Sequence, residues 1–356
     1  MEFGIQFFPD VGPAEKSAQA YWADALALVG ECDDLGYTHV RTVEHYFNAY
    51  GGYSPSPIVF LAAAAMRTAN ARLITGAVLP VFNNPLKLAG EIGMLDAISG
   101  GRLEVGFARA FLPHEFARFG VSVNESRARF DEGMAQVRLL LAEENVSADG
   151  RFHSFKNVTS LPRPTQRPHP PFWVAALASP ESFAGAGTAG HFLMAIPFGG
   201  AKMRELLGLY RDAWRAAGHP GRGRVMLAFH MFCAETMDEA VRVAREPLNG
   251  YLKSVVAAAS AWTEGLNSND YPNYDKIIAA LAKETFDTQM AKGVAWIGTP
   301  REIAQRILAF NDEVGGFEIA SLQVNFHTIS REDALRSMRL FARDVMPAVR
   351  RRLQAA

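Results

Sequence analysis

Residues 71–108 read ARLITGAVLPVFNNPLKLAGEIGMLDAISGGRLEVGFA. Two β-branched, apolar runs, ARLITGAVLP (71–80) and RLEVGFA (102–108), flank a segment that Asn84-Pro85 opens and Gly100-Gly101 closes as a helix. A strand, a helix and a second strand over this length form a parallel crossover unit. The pattern continues on both sides. Upstream lie FGIQFF (3–8), the helix SAQAYWADALALVGECDDLG (17–36), THVRTVE (38–44) and the alanine-rich helix in SPSPIVFLAAAAMRTA (54–69). Downstream come the helix SRARFDEGMAQVRLLLAEE (126–144) and four more strand candidates: PFWVAAL (171–177), HFLMAI (191–196), GRVMLAFHMF (223–232) and IASLQVNF (319–326). Eight strands interleaved with helices predict an α/β fold with parallel β-α units. An open doubly wound sheet is the alternative. The lack of a glycine-rich dinucleotide turn after the first strand favours a closed (β/α)₈ TIM barrel.

Two stretches break the alternation. Residues 146–171 are proline-rich and read as a surface loop or short hairpin. Residues 258–296 form a long insertion between strands seven and eight, polar at AWTEGLNSNDYPNYDK (261–276) and weakly helical after it. Long insertions in compact domains serve as active-site lids or disordered loops, and this one is expected to be a mobile lid. The 356 residues are expected to form one domain.

Composition narrows the function. The chain is 49% hydrophobic and 21% charged with a net charge of −1, which gives no bias toward nucleic acid or an anionic membrane. No apolar run reaches about 18 residues, the length a spanning helix needs. The N-terminal MEFGIQFFPD reads as a strand, not as a signal peptide. Cys32 and Cys233 are isolated and fit no metal-ligand spacing, so no metal is expected; two lone thiols suit a reducing cytoplasm.

In a barrel, the strand C-termini form the active face. Strand two ends there in Glu44-His45, which either enter the site or cap and brace the loop. Strand four ends in Arg109, either a surface ion pair or an anion ligand. Ser126-Arg127 begins a helix, where backbone amides and the helix dipole favour an anion. Two arginines and a helix start together suggest a phosphate group. Ser179-Pro180-Glu181-Ser182 after strand five is a helix-start signature that could cap the helix or add to that cradle.

EHYF (44–47), VLP (78–80), LDAISGGRLEVGFAR (95–109), HEFARFGVSVNESRARF (114–130), GTP (298–300) and MRLFARDVMP (338–347) together resemble the bacterial luciferase-like flavin monooxygenases, most of all the luciferase α subunit. The resemblance implies a TIM barrel that binds reduced FMN at the strand C-termini and activates O2 as a flavin hydroperoxide. It implies that His45 is the active-site acid or base, a role suited to an imidazole titrating near neutrality. Glu44 then orients that ring or holds the strand end. By the same resemblance Arg109 and Arg127 bind the phosphate, and Thr75-Gly76-Ala77 is the place of a non-proline cis peptide beside the flavin ring.

The chain departs from luciferase at three places. Ala108 replaces the reactive cysteine, Leu112 replaces a tyrosine, and Ala176-Leu177 replaces a Glu-Ser pair, which shifts part of the cradle toward Ser179 or backbone amides. These departures imply a monooxygenase without useful luminescence. Phe8, Phe47, Phe111, Leu112, Phe198 and Trp296 are candidates for an apolar substrate pocket or for plain core. A hydrophobic aldehyde, ketone or polycyclic aromatic of secondary metabolism would suit that pocket. No NAD(P)H site is visible, so a separate NAD(P)H:flavin reductase is the expected partner.

Two other readings stand beside this one: a deazaflavin-dependent hydride-transfer enzyme, and a non-catalytic flavin-binding accessory subunit. Retention of His45 and both arginines argues against the second. Small residues on helices two and three (Ala62 to Ala65, Ala89, Gly90, Gly93), with the family's habit of pairing there, predict a homodimer.

Overall fold

The computed structural model describes residues 1–355. Its strands are β1 Glu2–Phe7, β2 His39–Thr42, β3 Arg72–Thr75, β4 Leu103–Phe107, β5 Val146–Asp149, β6 Ser154–Val158, β7 Phe172–Ala176, β8 Phe192–Ala195, β9 Val225–Cys233, β10 Ala295–Gly298 and β11 Ile319–Gln323. The parallel set β1, β2, β3, β4, β7, β8, β9 and β11 closes on itself, because β11 pairs with β1 and β9 pairs with both β8 and β11. This is the eight-stranded barrel expected from the alternation, with helices around it. β5 and β6 form the antiparallel hairpin of the proline-rich stretch.

Side chains alternate between the barrel interior and the helical layer. Near the N-terminal ends of the strands, the interior is closed by charge. Glu104, 1% exposed, pairs with Arg72 and Arg224 and accepts a hydrogen bond from Trp173 Nε1 at 2.6 Å. Arg224 also pairs with Glu2 at 2.9 Å. Above this lies an apolar plug of Ile74, Trp173, Met194, Met226 and Ile319. Higher still, the inward positions are small: Gly76, Ala108, Ala175 and Ala228. The barrel is therefore filled below and open toward the strand C-termini.

Three expectations change. Ala295–Gly298, assigned to the insertion, is a buried strand paired with His230–Cys233 of β9. Its Trp296 stacks on Phe229 at 3.8 Å, and Phe229 packs on Phe310 of the helix Pro300–Val314. That is the outward side of β9, so Trp296 belongs to the core behind the barrel wall and lines no interior pocket. The insertion also packs better than its polar composition suggests. Trp262, Tyr271 and Ile278 are buried, Trp262 Nε1 donates to the Phe111 carbonyl at 2.8 Å, and two helices follow, Tyr274–Leu281 and Phe286–Ala291. Finally, four of the seven small residues on the helices Pro57–Ala65 and Pro85–Ile98 serve their own chain, while Ala63 is exposed and Ala62 and Gly90 are half-buried. Ala64, Ala65, Ala89 and Gly93 are buried, and a Cβ on Gly93 would meet the Pro162 carbonyl at 2.2 Å. No helix among the described residues is long and apolar enough to cross a membrane.

Because buried Glu104 is the acceptor for Trp173 Nε1 and the shared partner of two partly exposed arginines, Glu104→Ala leaves the buried indole N–H unpaired and should destabilise the barrel by about 1–3 kcal/mol in urea unfolding. A change below about 1 kcal/mol, the scale of an exposed pair, would show that water reaches this cluster.

Candidate active site

His45 lies just past β2, where the chain has left the sheet. Its Nδ1 is 3.1 Å from Oε1 of Glu115, a fully buried carboxylate on the helix Pro113–Phe119 that follows β4. A carboxylate accepts, so Nδ1 carries the proton and Nε2 is left free for exchange. Oε1 of Glu115 also accepts the Tyr46 backbone N–H at 2.8 Å, and His114 Nε2 lies 2.9 Å from the Tyr46 carbonyl. The loop after β2 and the helix after β4 are thus fastened around the imidazole. Phe8, Tyr50 and Phe111 wall the ring, at centroid distances of 5.4, 5.7 and 5.9 Å.

Glu44 does not join His45 in the site, since neighbours on extended chain point opposite ways. Its carboxylate accepts from Tyr46 Oη at 2.5 Å, Leu79 N at 3.0 Å and Asn83 Nδ2 at 2.8 Å. Burial pushes its pKa up to about 7 against the pull of those donors. Glu44 therefore holds the strand end, and the ring-orienting acid is Glu115. Glu115 was missed in the sequence, although HEF (114–116), an acid set among apolar residues at a helix start, was the available signal.

The two arginines converge. Burial raises the Asp131 carboxyl above its usual range, while Arg127 and Arg109 together pull it down. Between them lies an anion supplied by the insertion. Asp270 Oδ2 accepts from Ser126 Oγ at 3.2 Å and from Arg127 N–H at 2.9 Å, at the start of the helix Ser126–Ala142. Arg109 Nη1 donates to the Asp270 carbonyl at 2.9 Å, and its guanidinium lies over the Tyr271 ring at 5.0 Å. Tyr271 Oη in turn donates to the Ala110 carbonyl at 2.8 Å. The Asp270 carboxylate sits on the Ser126 hydroxyl and the Arg127 backbone N–H, with the Arg109 guanidinium held beside it on the Asp270 carbonyl, so a helix start and a neighbouring cation fit a phosphate-bearing cofactor.

Ser179 is the N-cap of the helix Pro180–Thr188; its hydroxyl accepts from Ser182 N at 3.3 Å and donates to Glu181 at 2.6 Å. That hydroxyl, with a smaller contribution from Arg127, holds the Glu181 carboxyl below its usual range, which brings this helix start to the same rim. Ala176, at the end of β7, is buried. Thr75 faces outward and is committed, its hydroxyl donating to Gly106 O at 2.9 Å and accepting from Gly106 N at 2.8 Å. The Gly76-Ala77 peptide is cis. A Cβ on Gly76 would lie 1.9 Å from Arg41 Nε, so only glycine admits the Arg41 side chain at that level.

The candidate pocket residues divide. Phe8 and Phe111 stand beside His45, and Phe198 is half-buried past β8. Leu112 is fully buried in the core. Phe47, 54% exposed, lies on the outer rim against Phe119 and Arg118. Ile196, two residues beyond Met194 and so inward-facing, is 50% exposed at the mouth; sequence reading passed over it. The site thus combines a helix start beside two arginines, a carboxylate-backed imidazole and an aromatic wall, an arrangement chemically able to take an anionic group and to move a proton beside an apolar surface.

Comparison with known proteins places the chain in a family. The model of the luciferase-like monooxygenase family matches residues 1–316. The crystal structure of monooxygenase RslO1 from Streptomyces bottropensis superposes with a TM-score of 0.87 at 44% identity, covering 98% of this chain and 99% of that one. The oxygenase component of flavin-dependent trigonelline monooxygenase from Acinetobacter baylyi is 29% identical over 340 residues, 94% of this chain and 92% of its own. The oxygenating constituent of 3,6-diketocamphane monooxygenase from Pseudomonas putida, solved with FMN, shares the fold at a TM-score of 0.81 and 22% identity, over 98% of each chain. The match runs from β1 to the turn before β11, and the chain is an oxidoreductase that belongs to the luciferase-like monooxygenase family.

Proposed function

We propose that the protein is the oxygenase of a two-component system, using reduced FMN and O2 to place one oxygen atom on a hydrophobic organic substrate. The observation that carries this reading is the anion cradle of Arg109, Ser126 and Arg127 at the same barrel mouth as the His45–Glu115 pair. Reduced FMN would supply two electrons to O2, the second oxygen atom leaving as water. Arg109, Arg127 and the helix start at Ser126 hold the phosphate. Glu115 fixes the His45 tautomer, and His45 Nε2 delivers or removes the proton that oxygen transfer requires. Phe8, Phe111 and Ile196 keep bulk water from the reacting centre. The oxygenase-component relative supports a separate NAD(P)H:flavin reductase as the electron source.

The deciding experiment is anaerobic titration with reduced FMN, followed by admission of O2 with a flavin reductase and a panel of apolar ketones, aldehydes and aromatics. Tight binding of a reduced deazaflavin with none of FMN would reject the proposal.

The cradle makes opposite predictions for two variants. Arg109→Ala loses a charge-assisted phosphate contact and should weaken reduced FMN about tenfold to a hundredfold. Asp270→Ala removes the competing carboxylate and should tighten it. If both variants bind as wild type does, the phosphate lies elsewhere.

For the proton donor, His45→Ala should keep fold and flavin binding while slowing product formation by about 10²–10⁴-fold. Glu115→Gln should lose less rate and shift the pH profile, because Gln can no longer hold the imidazolium. A wild-type rate in His45→Ala would make the ring structural.

The proposal includes a homodimer on the helices Pro57–Ala65 and Pro85–Ile98. Of the small residues, Ala63 is exposed and Ala62 and Gly90 are half-buried, and Val59, Met66 and Met94 are 71%, 77% and 57% exposed along this face. A two-fold contact would bury each of them twice. Met94→Glu should then produce monomers in light scattering; a wild-type monomer at micromolar concentration ends the idea.

A further inference from the structure

Every other arginine inside the barrel has a carboxylate. Arg72 and Arg224 have Glu104, and Arg224 also has Glu2. Arg41 has none. Its Nη1 donates to Gln6 Oε1 at 2.5 Å and its Nη2 to the Gly76 carbonyl at 3.0 Å, while Nε has no partner. These use two of the five donors a guanidinium carries. The carboxylates of the mouth are committed elsewhere: Asp10 to His327, Glu44 to Tyr46, Leu79 and Asn83, and Glu115 to His45 and Tyr46. Burial pushes the guanidinium pKa down to about 10, which leaves it charged at neutral pH. An unpaired cation in a barrel interior is expensive, and its field is directed at whatever occupies the space above.

The shaft above Arg41 is bordered by small side chains. Arg41, Ala175 and Ala228 all retain some exposure at this level. Gly76, Ala108, Ala175 and Ala228 supply no bulk at this level, and Gln6, the register partner of Arg41 on one side and of Gln323 on the other, puts its amide against Arg41. Above stand Phe8, Tyr50 and Tyr251, with Phe8 4.4 Å from Tyr50 and 5.6 Å from Tyr251. His230, the register partner of Gln323, packs on Tyr251 at 4.4 Å and leaves Nε2 without a partner.

We infer that Arg41 is the counter-ion site for an oxyanion carried on a planar conjugated ring seated in this shaft. The inference rests on the oxygenase reading above and adds the chemistry of the ligand. Two rings could bring that charge: a substrate bearing a carboxylate or phenolate, or the reduced flavin itself. A neutral aliphatic ligand would leave the cation uncompensated.

The test compares wild type with Arg41→Met, which keeps much of the volume without the charge, and Arg41→Lys, which keeps the charge without the fork; circular dichroism verifies the fold. One arm titrates flavin-free protein with 2-naphthoate and with its neutral isostere 2-naphthamide. The other measures the affinities of reduced and oxidised FMN without oxygen. A substrate oxyanion predicts that wild type prefers naphthoate by about tenfold to a hundredfold, that Arg41→Met erases the preference, and that Arg41→Lys restores part of it. A flavin oxyanion predicts instead that Arg41→Met weakens reduced FMN about tenfold and leaves oxidised FMN unchanged. If a folded Arg41→Met behaves as wild type in both arms, the counter-ion site is wrong. Should wild type bind no FMN, the oxygenase reading falls while the naphthoate arm still decides the role of Arg41.

Discussion

A closed barrel of eight parallel strands must fill its own interior with inward side chains, and this constraint governs the rest of the molecule. The lower levels meet it with bulk and paired charge: Glu104 between Arg72 and Arg224, then Trp173, Met194 and Met226. The upper levels meet it with Gly76, Ala108, Ala175 and Ala228, which fill almost nothing. The volume they leave lies at the strand C-termini. Loading the barrel at one end gives both stability and a mouth, and the long side chain of Arg41 enters that gap only because residue 76 has no Cβ.

The rim follows a second physical rule, that a helix start is an anion site. The helix Ser126–Ala142 points its first amides at the mouth, with Arg109 beside them. The insertion answers with Asp270, whose carboxylate meets the Ser126 hydroxyl and the Arg127 N–H. The same segment is fastened by Arg109 on the Asp270 carbonyl and by Tyr271 on the Ala110 carbonyl, so the helix start and the insertion are held together by charge and hydrogen bonds.

Much of this was legible from the sequence. Strands and helices alternate with clear boundaries, so the barrel could be read from hydrophobic runs, Asn84-Pro85 and Gly100-Gly101. That Arg109 and Arg127 come to one rim was legible because one follows a strand and the other opens a helix. What escaped depends on direction and packing. Ala295–Gly298 is too short and uniformly apolar to separate from a helical tail. Trp296 carries no mark of which side of β9 it will face. Glu44 and His45 are adjacent, and only the local backbone decides that one braces the Leu79 loop while the other enters the mouth. Glu115 lies 70 positions from His45, a distance that no local pattern spans.

The same long-range bonds explain why a residue outside any strand can serve chemistry. Loops are ordinarily the mobile part of a fold. Here the segment after β2 is held from three directions: Glu44 reaches forward to Leu79 and Asn83, Glu115 grips Tyr46 N–H, and His114 meets the Tyr46 carbonyl. With the backbone on both sides of His45 fixed and its Nδ1 committed to Glu115, little rotational freedom remains to the imidazole. Its Nε2 is presented at one place and in one tautomer before any ligand arrives, so the ordering entropy is met in folding and not during turnover. The buried carboxylates of this mouth thus spend their lone pairs on backbone, amide and imidazole, Glu44 on Leu79 and Asn83 and Glu115 on Tyr46 and His45, while Arg41 inside the barrel donates only to an amide oxygen and a backbone carbonyl.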